Sequence, residues 1–267
     1  MKIKQKNTID MTHGTLWNKL LIFALPLAAS SILQQLFNSV DTAVVGRFAS
    51  SRALAAVGSN SSLIALMINL FIGISLGSNV IISRYIGQKA EEHVKAAIHT
   101  AIVVALCSGI FVLVLGQFIA RPVLTLMGTP KDVLDLAVLY LRIYFLGMPF
   151  IMLYDFSSSI LRSIGDSRRP LYALIAAGII NTGLNLILVI VFHLGVSGVA
   201  IATVVSNIVS SGILFYILLH EQEPIRVRLS GLSIDWGRTE KNSDHWRSCR
   251  PAGHGLFPCQ RLHPEHD

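Results

Sequence analysis

Charged residues are scarce in this sequence, and three long stretches lack them altogether. Asp, Glu, Lys and Arg make up 14% of its 267 residues, whereas a soluble domain carries about 25%. No charged residue occurs in 53–83, 96–120 or 171–219. Because a helix needs roughly 20 apolar residues to cross a bilayer, the first two stretches can each hold one membrane span and the third can hold two. This pattern excludes a water-soluble protein.

Cysteines and enzyme signatures are also sparse. The three cysteines lack the spacing of a metal site or a disulfide framework. There is no HExxH, no phosphate-cradling loop and no evident pair of carboxylates within the spans. We therefore expect neither an enzyme nor a bound cofactor. The formal charge of +7 arises from basic residues that lie between the spans and in the tail, which favours lipid headgroups over nucleic acid as partners.

The apolar pattern predicts an all-α membrane bundle with a retained first helix. No cleavable signal peptide is expected, because the run 20–40 is too long for a signal core and lacks a small-residue cleavage site. The six predicted spans are 17–45, 61–83, 96–120, 137–161, 171–192 and 197–219, with the last two divided at His193–Gly195.

Basic residues near the ends of the spans predict the orientation. Cytoplasmic segments are expected to carry more Lys and Arg than outer segments. An N-terminus in the cytoplasm gives ten basic residues inside (Lys2, Lys4, Lys6, Lys19, Arg84, Lys89, Lys95, Arg162, Arg168 and Arg169) against four outside (Arg47, Arg52, Arg121 and Lys131). We therefore expect a multi-pass protein of the plasma (cytoplasmic) membrane, with residues 1–16 as a cytoplasmic N-terminal segment.

Residues 220–267 are a different kind of sequence. From about Glu221 the apolar periodicity stops, and Trp, Cys, His, Pro and Arg are mixed without a visible span or low-complexity bias. Two interpretations stay open. The segment is either a disordered cytoplasmic tail or a frame-shifted end that has replaced further membrane sequence.

Polar side chains within the first span are the leading candidates for function, because polar groups in hydrocarbon are costly and are expected to face a wet cavity or the bundle interior. Pro26 predicts a kink in this span. Asp41 has two open interpretations: a solvated group paired with Arg47 at the outer end, or a proton or cation site, with sodium as the candidate metal. By their spacing of three and four residues, one helix face carries Ser31, Gln34, Asn38 and Asp41.

The fifth and sixth spans carry a second polar group. Asn181 and Asn185 lie one turn apart, and Thr203, Asn207 and Ser210 share a face of the next span. These side chains either hydrogen-bond between helices or, together with Asp41, supply oxygen ligands for a hard cation or a proton site.

The second and fourth spans also hold polar residues. Asn69 shares a face of the second span with the glycines of GISLG (73–77), a small-xxx-small pattern that favours helix packing. We predict that Asn69 also lines the cavity. Asp155 lies near the inner end of the fourth span, where an exposed role and a functional role both stay open.

Seven segments resemble, in matching order, the multidrug and toxic compound extrusion (MATE) transporter family. Together they extend over about 200 residues, and seven matches in the same order identify the family more specifically than a single match does. The segments are NSVDTAVVGR (38–47), ALAAVG (53–58), GISLGSNVIISRYIGQK (73–89), LMGTPKDVLDLAVLYLRI (126–143), LRSIGDSRRP (161–170), NTGLN (181–185) and GVSGVAIATVVSN (195–207).

The resemblance implies an antiporter of two six-helix lobes, which exports cationic and amphipathic drugs in exchange for protons or sodium ions. Asp41 matches the acid of the first helix in the cation site of the N-terminal lobe, and Asn181 and Thr203 match its partners. Asn185 stands where many members carry a second acid, so this chain departs from the pattern there.

The resemblance also implies a second lobe, which the sequence after Trp236 does not continue. We expect a truncated N-terminal half that functions only with a separate second lobe; RPAG (250–253) resembles a scrambled start of that lobe. Two alternatives stay open: a lipid-linked saccharide flippase of the same superfamily, and a membrane fragment that does not transport. The spans hold almost no basic residue beyond Arg142, which disfavours the flippase.

Overall fold

The computed structural model describes residues 16–221 and 225–227, with side chains from residue 21 onward. All regular elements in this part of the chain are helices. Five helical stretches are long and apolar enough to cross a membrane, and a sixth arises if α4 and α5 count as one bent span. The predicted all-α, six-span bundle is confirmed. The helices are α1 (Leu16–Phe48), α2 (Ser51–Gly87), α3 (Glu91–Leu126), α4 (Lys131–Leu146), α5 (Met148–Ser163), α6 (Arg168–Leu186), a π-helix (Ile187–Val191) and α7 (Gly195–Leu219).

Local chemistry marks the helix ends. The Ser50 hydroxyl accepts a hydrogen bond from the Ala53 amide at 3.2 Å and caps α2. After α3, Gly128 adopts a φ of 74°, in the left-handed region that ends many helices. Pro149 lies in the first turn of α5, where the missing N–H of proline needs no partner.

The fourth predicted span, 137–161, is broken rather than continuous. α4 ends at Leu146, α5 begins at Met148, and the two helices are bent by 48°. Pro149 has no amide hydrogen to donate to the carbonyl of Phe145, so a straight α-helix loses a hydrogen bond at this point. The predicted fourth span is therefore present as a bent pair of helices. The break between the fifth and sixth spans is confirmed, because residues 192–194 separate the π-helix from α7.

α5 is the central helix of the bundle. It packs against α2, α3 and α7, while α6 packs against α1 and α7. The side chains of Met148, Met152 and Phe156 are buried in this core. α1 and α2 instead expose leucines such as Leu25 and Leu66, as expected of helices whose outer faces meet lipid.

In the GISLG segment of α2, the contact with another helix runs through Ser75 and not through the glycines: Ser75 is buried, and its carbonyl accepts a hydrogen bond from the Ser159 hydroxyl of α5 at 2.6 Å. Gly73 and Gly77 are exposed, and a Cβ at either position would meet no atom within 4 Å. The close helix packing that the small-xxx-small pattern predicts is therefore absent at these two glycines among the described helices. The same letters match the G-x-S-x-G pattern of hydrolases, but that motif requires a strand-to-helix turn. Ser75 lies within a continuous helix, where its hydroxyl donates to the Ile72 carbonyl at 3.0 Å.

A buried carboxylate organises the turn between α5 and α6. Asp166 accepts hydrogen bonds from the Arg168 and Arg169 amides at 3.0 and 3.2 Å, and it forms an ion pair with the Arg169 side chain at 2.8 Å. Arg169 also pairs with Glu221, just after α7. The neighbouring Ser167 hydroxyl donates to the Phe23 carbonyl of α1 at 3.1 Å. This turn therefore links α5 and α6 to α1 and to the C-terminal end of α7. The predictions for residues 1–15, and for the tail at 222–224 and 228–267, lie outside the described residues.

Candidate functional site

A cavity of about 190 Å³ lies between α1, α5, α6 and α7, with α2 and α4 contributing at its edge. Its lining combines a set of polar side chains, here called the polar wall, with aromatic and aliphatic side chains. Neither Lys nor Arg lines the described cavity, so its charged groups are carboxylates. The polar wall comprises Gln34, Asn38, Asp41, Asn181, Thr203, Ser206, Asn207 and Ser210.

Asp41 lies on this polar wall with only 9% of its surface exposed. The Asn185 side-chain amide donates a hydrogen bond to Asp41 Oδ1. The Thr203 hydroxyl also interacts with the carboxylate, although it donates to the Val199 carbonyl at 3.0 Å. Since a hydroxyl has one hydrogen, Thr203 can serve only one of these acceptors at a time. The carboxylate of α1 is thus held by residues of α6 and α7.

A chain of amides continues from this contact. Asn185 Nδ2 also donates to Asn181 Oδ1 at 3.1 Å, and Asn181 Nδ2 donates to the Ser206 hydroxyl at 3.4 Å. Asn185 is fully buried, and its own Oδ1 has no partner. The two bonds to acceptors define the amide orientation of Asn185, because a flipped amide would bring oxygen against oxygen. Asn185 therefore lies behind the cavity wall and links Asp41 to the rest of the network.

The structure brings most of the predicted site residues together. Gln34, Asn38 and Asn207 line the cavity with Asp41, as do Asn181 and Thr203. Asn69 does not: it is exposed on α2 and lies outside the cavity lining. The prediction for Asn69 is wrong because a shared helix face does not reveal which neighbour that face meets. Pro26 is buried inside the continuous helix α1, so the kink at Pro26 stays a prediction.

The two interpretations of Asp41 differ in whether Arg47 is its partner. Arg47 is exposed near the end of α1, and among the described ion pairs none joins it to Asp41. The carboxylate instead faces the cavity and the amides of α6. This arrangement favours the cavity-site interpretation over a solvated pair.

Asp155, for which the sequence left an exposed role and a functional role open, lines the same cavity from α5. Its Oδ2 is buried without a hydrogen-bond partner. Ile151 and Tyr154 line the cavity beside it, and their spacing of three and four residues places all three on one helix face. This spacing is visible in the sequence and could have indicated that Asp155 shares a face with Ile151 and Tyr154. The cavity therefore holds two carboxylates from different helices, contrary to the absence of paired carboxylates inferred from the sequence.

The polar wall offers oxygen atoms to a small cation. A carboxylate, a hydroxyl and carboxamide oxygens are the ligands that hard cations prefer. Within the described residues, no group of three or more His, Cys, Asp or Glu side chains could hold a metal ion. Any ion at Asp41 would therefore have at most two such side chains among its ligands and would rely on neutral oxygens for the rest.

Comparison with known proteins identifies the family. The family model described as MatE matches residues 26–187. The Bacillus subtilis protein YoeA, named a probable multidrug resistance protein, is 35% identical over 223 residues, which cover 82% of this chain and 48% of that protein. The chain belongs to the MATE family. It is a multi-pass membrane protein, as its apolar helices and its MATE relatives indicate.

Other MATE relatives agree with this assignment. The multidrug export protein MepA of Staphylococcus saprophyticus is 25% identical over 230 residues, covering 85% of this chain and 51% of MepA. A crystal structure of MATE in the bent conformation superposes with a TM-score of 0.76 at 24% identity, covering 82% of this chain and 49% of that one. That likeness concerns the fold alone. The chain spans about half the length of the relatives it matches.

Proposed function

We propose that this chain forms the cation-exchanging lobe of a MATE-type multidrug antiporter, which exports cationic and amphipathic drugs while protons or sodium ions enter. The observation that carries the proposal is the position of Asp41, a cavity-facing carboxylate of α1 held by Asn185 of α6 and close to Thr203 of α7. The names of relatives such as YoeA and MepA support the drug-export part of the proposal.

The geometry suggests how ion binding could move a helix. A proton or sodium ion at Asp41 competes with the Asn185 amide for the same carboxyl oxygen. Because Asn185 also donates to Asn181, loss of one contact frees the amide chain to rearrange. An ion that binds one arrangement better than another shifts the equilibrium between them. We propose that this shift changes the contact of α1 with α6 and releases the drug outward.

Alternating access also needs a second body. In transporters built from repeats, one repeat moves against the other around a site between them. We therefore propose a second six-helix lobe as the partner, supplied as a separate chain or as further sequence. The N-terminus would lie in the cytoplasm and the protein in the cytoplasmic membrane.

Ethidium efflux from a drug-sensitive bacterium tests this proposal. The chain is expressed alone and together with the second half of YoeA as a separate polypeptide. We expect efflux in the paired cells and a loss of roughly tenfold or more with Asp41→Asn. Asp135→Asn is the matched control, because that carboxylate is exposed and pairs with Arg121 at the surface. Imposed proton or sodium gradients in vesicles identify the coupling ion.

Each negative result removes a defined part of the proposal. Efflux that Asp41→Asn leaves unchanged would exclude Asp41 from the mechanism. No efflux in either set of cells, with the chain present in the membrane, would favour a non-transporting fragment. A flippase for lipid-linked pyrophosphates is disfavoured, because the described cavity wall carries carboxylates and no Lys or Arg.

A further inference from the structure

Arg142 places a positive charge on the outer face of α4, within the fourth span. Its side chain is exposed, and no residue in the described part of the chain forms an ion pair or a hydrogen bond with its guanidinium. Arg142 does not line the cavity between α1, α5, α6 and α7. Because a charge in hydrocarbon is costly, a charged residue inside a span is expected to have a partner. For Arg142 that partner has to come from outside the bundle.

The depth of Arg142 follows from an ion pair nearer the start of α4. Arg121 of α3 and Asp135 of α4 pair at 3.2 Å, and both side chains are largely exposed, as expected at a membrane surface. Arg142 lies seven residues further along α4, which is about 10 Å at the rise of an α-helix. The hydrocarbon core of a bilayer is roughly 30 Å thick. The backbone of Arg142 therefore lies within the apolar layer, and its long side chain has to reach back toward the headgroups.

The polar groups around Arg142 favour an anion as its partner. The carboxylate of Asp135 is already engaged by Arg121, and Asp132 lies almost one turn nearer the helix start. The Gln117 side-chain amide of α3 donates to the Arg142 carbonyl at 3.0 Å and has a second hydrogen to donate. A guanidinium and an amide thus lie on neighbouring helices, and both are donors that suit the oxygens of a phosphate group.

The surface beside these donors is apolar. Leu139 and Leu146 share the face of α4 with Arg142, by their spacing of three and four residues. Val114 and Phe118 lie one turn apart on α3, and all four side chains are exposed. An acyl chain would bury this apolar surface, whereas a free anion would not. Phosphate donors next to an apolar surface match the two parts of a phospholipid.

We propose that Arg142 and Gln117 bind the phosphate group of an anionic phospholipid whose acyl chains lie along α3 and α4. The lipid neutralises the arginine and holds the hairpin of α3 and α4 in one leaflet. An anionic lipid is favoured over a zwitterionic one, because a positive choline group offsets the attraction to Arg142. This binding is independent of the proposed function, since it concerns the outer surface and not the cavity.

Native mass spectrometry of the purified full chain tests the proposal. The chain is titrated in detergent micelles with phosphatidylglycerol or with phosphatidylcholine of the same acyl chains. We expect tighter binding of phosphatidylglycerol, and a loss of about tenfold with Arg142→Gln, because one charge-assisted contact is removed. Arg142→Lys keeps the charge without the two-pronged contact and should lose about two- to threefold. Arg52→Gln is the matched control, because Arg52 is an exposed arginine at the start of α2.

The variants separate a defined site from general attraction between charges. Unchanged phosphatidylglycerol binding in Arg142→Gln, with its helical circular dichroism retained, would overturn the proposal. An equal loss in Arg52→Gln contradicts it as well, since any basic residue would then serve. Gln117→Leu should lose about two- to threefold, less than Arg142→Gln, because the amide is uncharged. Inorganic phosphate in excess is expected to leave the lipid bound; displacement would mean that the chain recognises the anion without the acyl chains.

Discussion

The two sides of the bundle are held together by different means. Where α3 meets α5, the backbones touch: a Cβ added at Gly109 would lie 2.5 Å from Pro149 Cα. Where α1 meets α6 and α7, polar side chains such as Asp41 and Asn185 make the contacts. Close backbone packing leaves no alternative arrangement at similar energy, whereas hydrogen bonds can be exchanged for bonds to a ligand. We call the contact of α3 with α5 the scaffold side. We call the contact of α1 with α6 and α7 the responsive wall, because its hydrogen bonds can be exchanged for bonds to a ligand.

The outer helices extend the same contrast. In the most apolar window of α1 only 6% of residues are buried, compared with 33% for α7. α1 therefore has few packed neighbours within the described bundle apart from α6 and the cavity. A helix that carries the carboxylate proposed for coupling and has few other contacts is well suited to move when that carboxylate changes partners.

The largest effect on stability is expected from the scaffold side. Gly109→Ala forces a methyl group into the backbone of Pro149 and should lower the free energy of unfolding by about 3 kcal/mol. Helical circular dichroism during titration with a denaturing detergent measures this loss. Gly212→Ala is the control, because nothing lies within 4 Å of a Cβ there. The control should be neutral or more stable by up to ~1 kcal/mol; equal losses would contradict the contrast.

A smaller effect is expected on the responsive wall. Asn185→Ala removes the donor from Asp41 and leaves a buried carboxylate short of a partner, at a cost of about 2 kcal/mol. Asn207→Ala is the matched comparison, since its amide donates only to the Thr203 carbonyl of its own helix, and its cost should be about 0.5 kcal/mol. The same denaturation experiment ranks the two. Similar costs would mean that the network between helices does not stabilise this wall.

The smallest effect is expected at the turn that joins the two sides. Asp166→Ala removes the acceptor for the Arg168 and Arg169 amides at the start of α6, and it should cost about 1 to 2 kcal/mol. Asp166→Asn keeps a capping side chain but loses the ion pair with Arg169, so its cost should be smaller. Thermal unfolding in micelles distinguishes the two variants. If both cost the same, the ion pair rather than the cap stabilises the turn.

The number of spans and the position of Asp41 on the cavity could be predicted from sequence because both depend on local properties. The charge-free stretches are as long as membrane spans, and Asp41 shares a face with Gln34 and Asn38 at helical spacing. Which helix a face meets depends on tertiary packing. The same reasoning therefore succeeded for Asn207, which lines the cavity, and failed for Asn69, which does not.

The bend at Gly147 and the position of Asp155 illustrate the limits of that reasoning. Residues 137–161 are long enough for one span, but a count of apolar residues cannot reveal a break of 48°. The proline at 149 was the local signal. Asp155 was expected near the end of a span because the span was assumed to be a straight helix. The bend at Gly147 changes the positions of the helical turns that follow it, including the turn of Asp155.

The π-helix at Ile187–Val191 follows directly after Asn185 and Leu186. Such a turn accommodates one residue more than an α-helix over the same rise, so side chains beyond it are rotated by about one α-helical step, roughly 100°. A plain helical wheel therefore assigns residues 192–194 to the wrong side of the span. Deletion of a single residue here would let α6 run on as a regular helix, re-aiming the loop to α7 while the two asparagines stay in place.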